Sequence, residues 1–582
     1  MSPTNLTRRS FMKASALAAG AAALGSGVAT VNNLVESDQA SAADEVTLVP
    51  PSCRACISNC GIIAHVQNGR VIKLEGDPAD PMSEGRVCPK GLSGIQALYH
   101  PNRNKYPMKR VGERGGNQWE RISWEEAIDT IADALMDMKD KTGLEGLLCS
   151  TGGGGNPQFF SPPRFRNFWG AGNVFEPGCA QCYLPRMGAS QLSNGMGKPN
   201  NLSFSDSNGW DYYFTDSPVD SLVLWGTDPS NSSVATGGRA LAELRAREKG
   251  LKTVVIDPRM TMDAAKAEVW LPIRPGTDAA LLMAWTKWII DNEKYDEDFC
   301  TNWTNMPYLV NPETRLTLKP TECGLEGTDA DYVIWDPAQG KPVVLEYPMN
   351  EGVTPPLFGT YEIDGVEYPT AFTLLQERVD EWTLEKGCEV CCLEKDQVEK
   401  AIRIYAENAP SGLVLGVATD MSPQSAQGTE GACILEFLLG NVEKPGALLQ
   451  RFPDPPNKVD LGTMNTLVTG DMLEKRLGYR EHKGLGIWSH AHIPTVFKAI
   501  TTGEPYQPRN WMERSGNKHA MIGNAGQLSE IIDKMEMICH LYMYPTAFTI
   551  EAADYVLPTQ EWLESYFSSA HANTIIIRQP VV

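Results

Sequence analysis

The sequence has 582 residues, of which 42% are hydrophobic and 21% are charged. This composition is typical of globular proteins and excludes a disordered or fibrous chain; the length predicts several domains. Asp and Glu outnumber Lys and Arg by 72 to 51, a formal charge of -21, which disfavours nucleic acid and anionic membranes as partners. After the N-terminus no apolar stretch reaches the roughly 20 residues that span a bilayer, so we expect no direct membrane span.

Residues 1–42 form a predicted targeting segment. Arg8 and Arg9 stand in a Thr-Arg-Arg-Ser-Phe-Met-Lys motif, and a charge-free, Ala/Gly-rich stretch and small residues at 40–42 follow. The pattern resembles a twin-arginine signal, whose route carries folded proteins. A basic arm or a weak transmembrane helix is the alternative, but Ala and Gly are too weakly apolar for a good anchor. We expect export to the periplasm or the outer face of the cytoplasmic membrane.

Four of the 14 cysteines lie close to the start of the predicted mature chain, at Cys53, Cys56, Cys60 and Cys88. Three closely spaced thiols and one distant thiol suit a 4Fe-4S cube, on which four thiolates converge. Zinc, which more often uses two matched Cys-x2-Cys pairs, is one alternative. Disulfides are the other, although folding before export disfavours them. The cysteines predict a 4Fe-4S domain over 43–105.

Polar residues follow two predicted parallel strands, 221–225 and 252–256, which a predicted helix over 240–249 connects. In open parallel sheets, ligands bind outside the carboxyl ends of the strands. A purely structural sheet has the same pattern, so from the residues alone both interpretations stay open. The candidate binding residues at the two strand ends are Gly226, Thr227, Asp228, Asp257 and Arg259.

The signal, the four cysteines, the Gly-Asp-Pro at 76–78 and the Cys-Pro-Lys-Gly at 88–91 together resemble the dimethyl sulfoxide reductase superfamily. The resemblance extends from about Val46 to the last residue. It implies a 4Fe-4S cluster, two molybdopterin guanine dinucleotides, and molybdenum or tungsten. In that family the lysine after the fourth cysteine lies between cluster and pterin, so Lys90 is the candidate electron-path residue. A surface lysine beside a turn is the alternative.

Two further segments match the family's dinucleotide-binding motifs. Pro275, Gly276 and Asp278 belong to an Arg-Pro-Gly-Thr-Asp sequence, in which the family's acid pairs with guanine donors. A helix N-cap at Thr277 or Asp278 is the structural alternative. The segment around Asp420 matches the other side of the cofactor cleft; a turn-rich entry to a helix is equally compatible with it.

The family usually fixes its metal with one protein side chain, and the matching stretch is 172–186. It holds two thiols, Cys179 and Cys182, and a soft thiolate suits molybdenum or tungsten already bound by sulfur. Cys182 precedes Tyr-Leu-Pro-Arg much as the ligand precedes a proline and a basic residue in cysteine-ligated members. We therefore prefer Cys182; Cys179 or two buried structural thiols are the alternatives.

The remaining thiols and the closely spaced histidines carry weaker signals. The Cys-Glu-Val-Cys-Cys sequence at 388–392 lacks a matching pair or a nearby histidine, so we interpret it as loop thiols, with a disulfide after export as one option. His490 and His492 would face one side of a strand, but no third ligand is near them. We expect a solvated pair.

The predicted fold class is α/β and multi-domain, with a small iron-sulfur domain and interleaved three-layer αβα domains. We assign 43–105 to the 4Fe-4S domain, which segments within 450–582 complete. One αβα domain takes 106–190 and 400–450, a Rossmann-like dinucleotide-binding domain takes 191–399, and 451–582 returns to the first domains. Family members continue into a further C-terminal domain, which we expect this chain to lack.

The resemblance implies a molybdopterin-dependent oxidoreductase catalytic subunit that performs two-electron chemistry on a small-molecule substrate. Oxygen-atom transfer and reductive dehydroxylation, in anaerobic respiration, are the expected reactions. Electrons would pass through the cluster to an electron-transfer iron-sulfur subunit, a cytochrome or a membrane quinone-linked subunit. The alternative is a truncated, non-catalytic cluster-binding fragment or half of a split enzyme.

Overall fold

The computed structural model describes most of the chain after the predicted signal. The described residues are 45–56, 59–80, 83–152, 165–170, 172–176, 184–194, 220–231, 239–346, 350–442, 444, 470–482, 490–571 and 574–582.

The strands, in chain order, are β1 (Thr47–Val49), β2 (Ile62–Gln67), β3 (Arg70–Gly76), β4 (Met108–Arg110), β5 (Trp119–Arg121), β6 (Leu147–Thr151), β7 (Val174–Phe175), β8 (Ser221–Trp225), β9 (Lys252–Ile256), β10 (Val269–Leu271), β11 (Val333–Asp336), β12 (Lys341–Val344), β13 (Thr360–Ile363), β14 (Val366–Pro369), β15 (Gly412–Leu415), β16 (Asn510–Arg514), β17 (Met537–Leu541), β18 (Tyr555–Leu557), β19 (Phe567–His571) and β20 (Thr574–Arg578).

The α-helices are α1 (Pro89–Leu92), α2 (Gly94–Leu98), α3 (Trp124–Thr142), α4 (Leu184–Asn194), α5 (Arg239–Glu248), α6 (Asp278–Asp291), α7 (Glu297–Trp303), α8 (Ala371–Val379), α9 (Leu384–Cys391), α10 (Lys395–Ala406), α11 (Val417–Asp420), α12 (Ser425–Leu438), α13 (Gly470–Glu474), α14 (Ile493–Thr502), α15 (Lys518–Met521), α16 (Ala525–Ile532) and α17 (Ala547–Ala552).

The N-terminal unit is a small antiparallel sheet, in the order β1-β2-β3, with α1 and α2 beside it. Asn68 and Gly69 both have positive φ, the backbone that a tight two-residue hairpin needs between β2 and β3. Its core also includes Leu563 and Val581, from the far end of the chain. The last described segments therefore complete the first unit.

A seven-stranded sheet, in the order β5-β4-β18-β17-β16-β6-β7, forms the second unit. Strands β6, β7, β16, β17 and β18 are parallel, whereas β4 and β5 add an antiparallel edge. All five residues of β6 are buried, as expected for a central strand covered on both faces. The sheet thus joins strands before residue 176 to strands after residue 509.

A four-stranded parallel sheet, in the order β10-β9-β8-β15, forms the third unit. The assignment of 400–450 to the same domain as 106–190 is wrong, because β15 pairs with β8 and places Leu413 opposite Val223. Both strands are wholly buried, so each needs a hydrogen-bonded neighbour within this sheet. Helix α6 packs against α8, α9 and α12 in the same unit.

The α/β, multi-domain fold class predicted from the sequence is confirmed by these mixed sheets and helices. Among the described residues, no helix combines the length and the apolar character that crossing a membrane requires.

Truncation of Leu563 tests the closure of the N-terminal unit by the end of the chain. Leu563 is fully buried in that core, so Leu563→Ala should lower the free energy of unfolding by about 2–5 kcal/mol in chemical denaturation. Leu316→Ala, at a side chain that is 69% exposed, is the matched control and should change it little. Equal values for both variants would contradict the packing described.

Candidate functional site

The four N-terminal cysteines come from two local structures of the first unit: the loop before β2 holds Cys53, Cys56 and Cys60, and the start of α1 holds Cys88. Cys53 is buried and its N–H donates to the carbonyl of Cys60 at 2.7 Å, while Cys88 is the N-cap of α1. A Cβ at Gly91 would lie 3.1 Å from the Cys53 Sγ, so a glycine lets α1 approach the thiol closely. The loop and the helix together bring the first and last cysteines to one place.

The thiols influence one another electrostatically. Burial first, and then the charges of Cys53 and Cys56, raise the pKa of the Cys60 thiol to about 12; Cys88 acts in the same direction. Four thiolates at this place need compensating positive charge, which iron supplies. Among the described residues, no three His, Cys, Asp or Glu groups are arranged to hold a single metal ion. Four free cysteine thiols within one small unit are the number and kind of donor that a 4Fe-4S cluster takes, so the donor set fits the predicted cluster.

Lys90 lies in α1, two residues after Cys88, and its side chain is exposed. The cluster-side position matches the implied electron path, whereas the exposure matches the surface-lysine alternative. Its role stays a prediction.

The carboxyl edge of the four-stranded sheet brings together Gly226, Thr227 and Asp228 with the residues after β15. The chain runs from β8 to β9 and β10 on one side and later adds β15 on the other, so the strand order reverses between β8 and β15. A Cβ at Gly416 would lie 2.0 Å from the carbonyl oxygen of Gly226, which itself has φ +62. The two backbones therefore meet without side chains between them, at the kind of crevice where such sheets bind ligands.

Asp278 reaches the same sheet from the first turn of α6. Its Oδ1 accepts a hydrogen bond of 2.7 Å from the indole N–H of Trp225, the last residue of β8. Thr277 is the N-cap, but its side chain makes no capping bond to the helix. The capping alternative therefore does not account for these two residues, and Asp278 is positioned relative to the edge by the buried indole.

The other predicted residues of this segment surround the same edge. The Oδ1 of Asp257 accepts from the N–H of Arg259 at 2.8 Å, while the Arg259 side chain is 75% exposed and lies 3.9 Å from that carboxylate. Pro275 is exposed, and Gly276 has φ +81 in the turn before α6. Arg259 carries its positive charge on a long, exposed side chain beside this crevice. In a chain that is acidic overall, a cation at this place suits an anionic ligand.

Asp420 is buried in an ion pair with Arg186, its Oδ2 lying 3.4 Å from the guanidinium. Its Oδ1 accepts from the Arg186 N–H at 3.1 Å, and the guanidinium donates to the carbonyl of Leu415 at 2.7 Å. The first turn of α4 is thereby fixed to the end of β15. Cys182 and Cys179 lie just before α4 but outside the described residues, so the choice between them stays a prediction.

Two carboxylates beside the β8 loop have a buried, unsatisfied oxygen. The Oδ1 of Asp228 and the Oε2 of Glu243 are buried and have no hydrogen-bond partner among the described residues. Burial, and then the charge of Asp263, raise the pKa of Glu243 to about 7. Burial also raises the pKa of Asp228, and Asp263 adds to that effect. Orphaned acceptors at this edge fit a ligand that brings hydrogen-bond donors, as a sugar or a guanine base does.

A second carboxyl edge, in the seven-stranded sheet, was missed by the sequence interpretation. The strand order reverses between β6 and β16, and there the N–H of Gly152 donates to the carbonyl of Arg514 at 2.9 Å. Ser515 and Gly516 both have positive φ in the loop that follows β16. This edge repeats the arrangement of the first edge: two loops that meet at a strand-order reversal.

A buried cation supports this second edge. Lys518 is fully buried, and its Nζ donates to Glu513 at 2.6 Å and to the carbonyl of Thr151 at 3.1 Å. The indole N–H of Trp511 and the Ser150 hydroxyl extend the same network. The sequence signal for this edge was the run of glycines at 152–155 after an apolar strand, of which 153–155 lie outside the described residues. No local sequence pattern indicated that Lys518 would be buried.

Two interpretations of the weaker signals are wrong. The thiols Cys388 and Cys391 are free, buried and part of helix α9 rather than of a loop, because α9 presents them to the core. His492 stands at the N-cap position of helix α14 instead of in a strand, and its ring contacts that of His482, with centroids 3.9 Å apart.

Two family models together match almost the whole chain. The family described as Molybdopterin oxidoreductase matches residues 103–573, and the Molybdopterin oxidoreductase Fe4S4 domain matches residues 46–100. The second match contains all four N-terminal cysteines.

Individual relatives agree. Dopamine dehydroxylase from Eggerthella lenta is 27% identical over 97% of this chain and 63% of its own length. Acetylene hydratase from Syntrophotalea acetylenica is 26% identical over 88% of this chain and 62% of its own. The solved structure of acetylene hydratase from Pelobacter acetylenicus has a similar fold, with a TM-score of 0.68, 22% identity, and coverage of 92% of this chain and 66% of the other. The chain thus spans under two thirds of the length of the two curated relatives.

Glu243 should make stability depend on pH. Its folded-state pKa of about 7 lies above that of an unfolded glutamate, so the folded protein holds the extra proton and loses stability as pH rises from about 4.5 to above 7. In Glu243→Gln this loss disappears, and the variant should gain about 2 kcal/mol relative to the parent between pH 5 and pH 8. The exposed Glu248→Gln on the same helix is the control. Parallel pH profiles for Glu243→Gln and the parent would refute the assignment.

The Arg186–Asp420 pair should be strongly coupled. Removing one partner of a buried ion pair costs about 3–5 kcal/mol, so Asp420→Asn should lower the unfolding free energy by about that amount. Replacing both, as Arg186→Met with Asp420→Leu, should cost less than the sum of the two single changes. Additive losses in denaturant titrations would show that the two side chains act independently.

Proposed function

Because the chain belongs to the molybdopterin oxidoreductase family, we propose that it is the catalytic subunit of an exported oxidoreductase that holds two molybdopterin guanine dinucleotides and one 4Fe-4S cluster. The observation that supports this most strongly is the pair of matching edges, each at a strand-order reversal of a largely or wholly parallel sheet. Two such crevices suit two dinucleotides, one at each edge.

At the first edge, the chain would bind and orient its dinucleotide through Gly226, Thr227 and Asp228 on one side and through Asp278 on the other. A carboxylate that already accepts from Trp225 through Oδ1 has further lone pairs for the N–H groups of guanine. Arg259 would offset phosphate charge in a chain whose formal charge is -21.

At the second edge, the loops after β6 and β16 would hold the other dinucleotide. Lys518 joins the ends of the two strands from which these loops leave, by donating to the Thr151 carbonyl of β6 and to Glu513 of β16. When bound, the metal–pterin centre supplies two-electron chemistry and the cluster passes electrons singly. The four N-terminal thiolates hold that cluster, and Cys182 is the proposed protein ligand of molybdenum or tungsten.

The proposed reaction is oxygen-atom transfer or reductive dehydroxylation of a small molecule, in anaerobic respiration. The name of one relative, dopamine dehydroxylase, supports the second type, whereas the name acetylene hydratase shows that relatives include a hydration enzyme. The twin-arginine motif supports export to the periplasm or to the outer face of the cytoplasmic membrane. An iron-sulfur subunit, a cytochrome or a quinone-linked membrane subunit would exchange electrons with the cluster.

Cofactor analysis of the purified chain tests this proposal. We expect about four iron atoms, one molybdenum or tungsten, and two guanine nucleotides per chain after acid hydrolysis. Asp278→Ala should lose about one of the two nucleotides, because the guanine contact at the first edge is removed. Asp291→Ala, at the other end of the same helix, should retain both.

A Cys56→Ala variant completes the experiment, since it should abolish the magnetic-resonance signal of the reduced cluster. Iron without molybdenum, tungsten or guanine nucleotide in the parent chain would sink the proposal and favour a cluster-binding protein. Two full nucleotides in Asp278→Ala would remove that residue from the site.

A further inference from the structure

Helix α3 lies outside both edges and has two distinct faces. Ser123 caps it by accepting from the Glu126 N–H at 3.0 Å. Its inner face buries Ile131, Leu135 and Met138 in the same cluster as residues of β6 and β17. This packing fixes the helix, so the residues on its outer face hold fixed positions relative to one another.

The outer face carries an exposed row of apolar side chains, which we call the apolar ridge. Trp124, Ile128 and Met136 are 50%, 58% and 48% exposed, and the small Ala132 between them is also exposed. These residues are spaced four apart, and such rows form the ridges by which helices pack against one another. Single exposed apolar residues are ordinary on protein surfaces, but three large ones along one helix row mark a contact surface.

A row of carboxylates, the acidic ridge, runs directly beside the apolar ridge. It consists of Glu125, Asp129, Asp133 and Asp137, all exposed and again spaced four apart. Of these four carboxylates, only that of Asp137 forms an ion pair with another described residue. It lies 2.6 Å from the Lys141 ammonium. Like charges at this spacing destabilise a helix. The acidic ridge therefore costs the isolated chain stability, and a cationic partner would remove that cost.

We propose that the outer face of α3 binds a basic amphipathic helix of a partner protein. Apolar side chains of the partner would pack along Trp124, Ile128 and Met136, and the small Ala132 lets the two helices approach closely at mid-ridge. Lysine or arginine beside that apolar row would face the acidic ridge. A second copy of this chain fits poorly, because its own acidic ridge and a net charge of -21 would meet like charge.

The contact has the size of one helix face, so the complex is weak and forms and dissociates readily. Its electrostatic part acts between exposed groups and is screened by salt. Binding should therefore weaken as ionic strength rises, while the apolar part persists.

The test uses the full chain and a fluorescein-labelled synthetic 18-residue helix, with leucine every fourth residue and lysine on the adjacent row. Fluorescence anisotropy at about 20 mM salt should show saturable binding, weakened at about 200 mM. Ile128→Ser should weaken it about tenfold. Asp129→Asn with Asp133→Asn should weaken it several-fold at low salt, flatten its salt dependence, and raise the melting temperature by relieving like-charge repulsion.

Two controls separate this contact from general attraction to an acidic protein. Glu377→Gln with Asp396→Asn changes the charge equally at exposed positions of α8 and α10, and should leave binding unchanged. A peptide of the same composition in scrambled order should bind at least tenfold more weakly than the designed one. Equal binding of both peptides, or equal loss in the control variant, would overturn the proposal. A dimer of the parent chain that Ile128→Ser dissociates in ultracentrifugation would also overturn it, in favour of a second copy.

Discussion

Parallel pairing between strands that are far apart in sequence creates both candidate binding edges. β15 completes the four-stranded sheet beside β8, and β16 lies beside β6 in the seven-stranded sheet. In each case a later strand is added to the free side of an earlier one, so the strand order reverses there and the loops leave in opposite directions. Without these two pairings, neither crevice would exist.

Each edge depends on buried polar groups that hold its loops. At the first edge, the Arg186–Asp420 pair ties α4 to the end of β15, and Trp225 binds Asp278. At the second edge, Lys518 bridges Glu513 in β16 and the Thr151 carbonyl at the end of β6. Buried ion pairs contribute little net stability compared with apolar packing, but breaking one is costly. Their effect here is to specify loop positions, which a large anionic cofactor requires.

Charge has different roles inside and outside the molecule. The chain is strongly acidic overall, yet the buried cations Arg186 and Lys518 each lie beside one of the two edges, where we propose that phosphate groups bind. Beside β8, carboxylate oxygens that lack a donor among the described residues favour a ligand with N–H or O–H groups at the same place. The acidic ridge of α3 is exposed instead, and there the same charge suits a basic protein surface.

The sequence by itself determined features that depend on local spacing. The four N-terminal cysteines, the strand-to-loop transition at Gly226 and the Arg-Pro-Gly-Thr-Asp motif that ends at Asp278 were all recognisable, because short motifs need specific residues at fixed distances along the chain. Helix α9 was mistaken for a loop, although its apolar positions recur at helical spacing and bury Cys388 and Cys391. That error concerned local structure and was avoidable.

Only the tertiary structure decided which distant segments meet. The placement of 400–450 with β8, the bond from Trp225 to Asp278, the Lys518 network and the closure of the N-terminal unit by Leu563 all join residues far apart in the chain. A buried strand has the same apolar pattern whichever neighbour it pairs with, and a buried lysine resembles an exposed one in sequence. Pairing is settled by the packing of the whole chain, because each buried backbone group and charge must find a partner somewhere in the folded molecule.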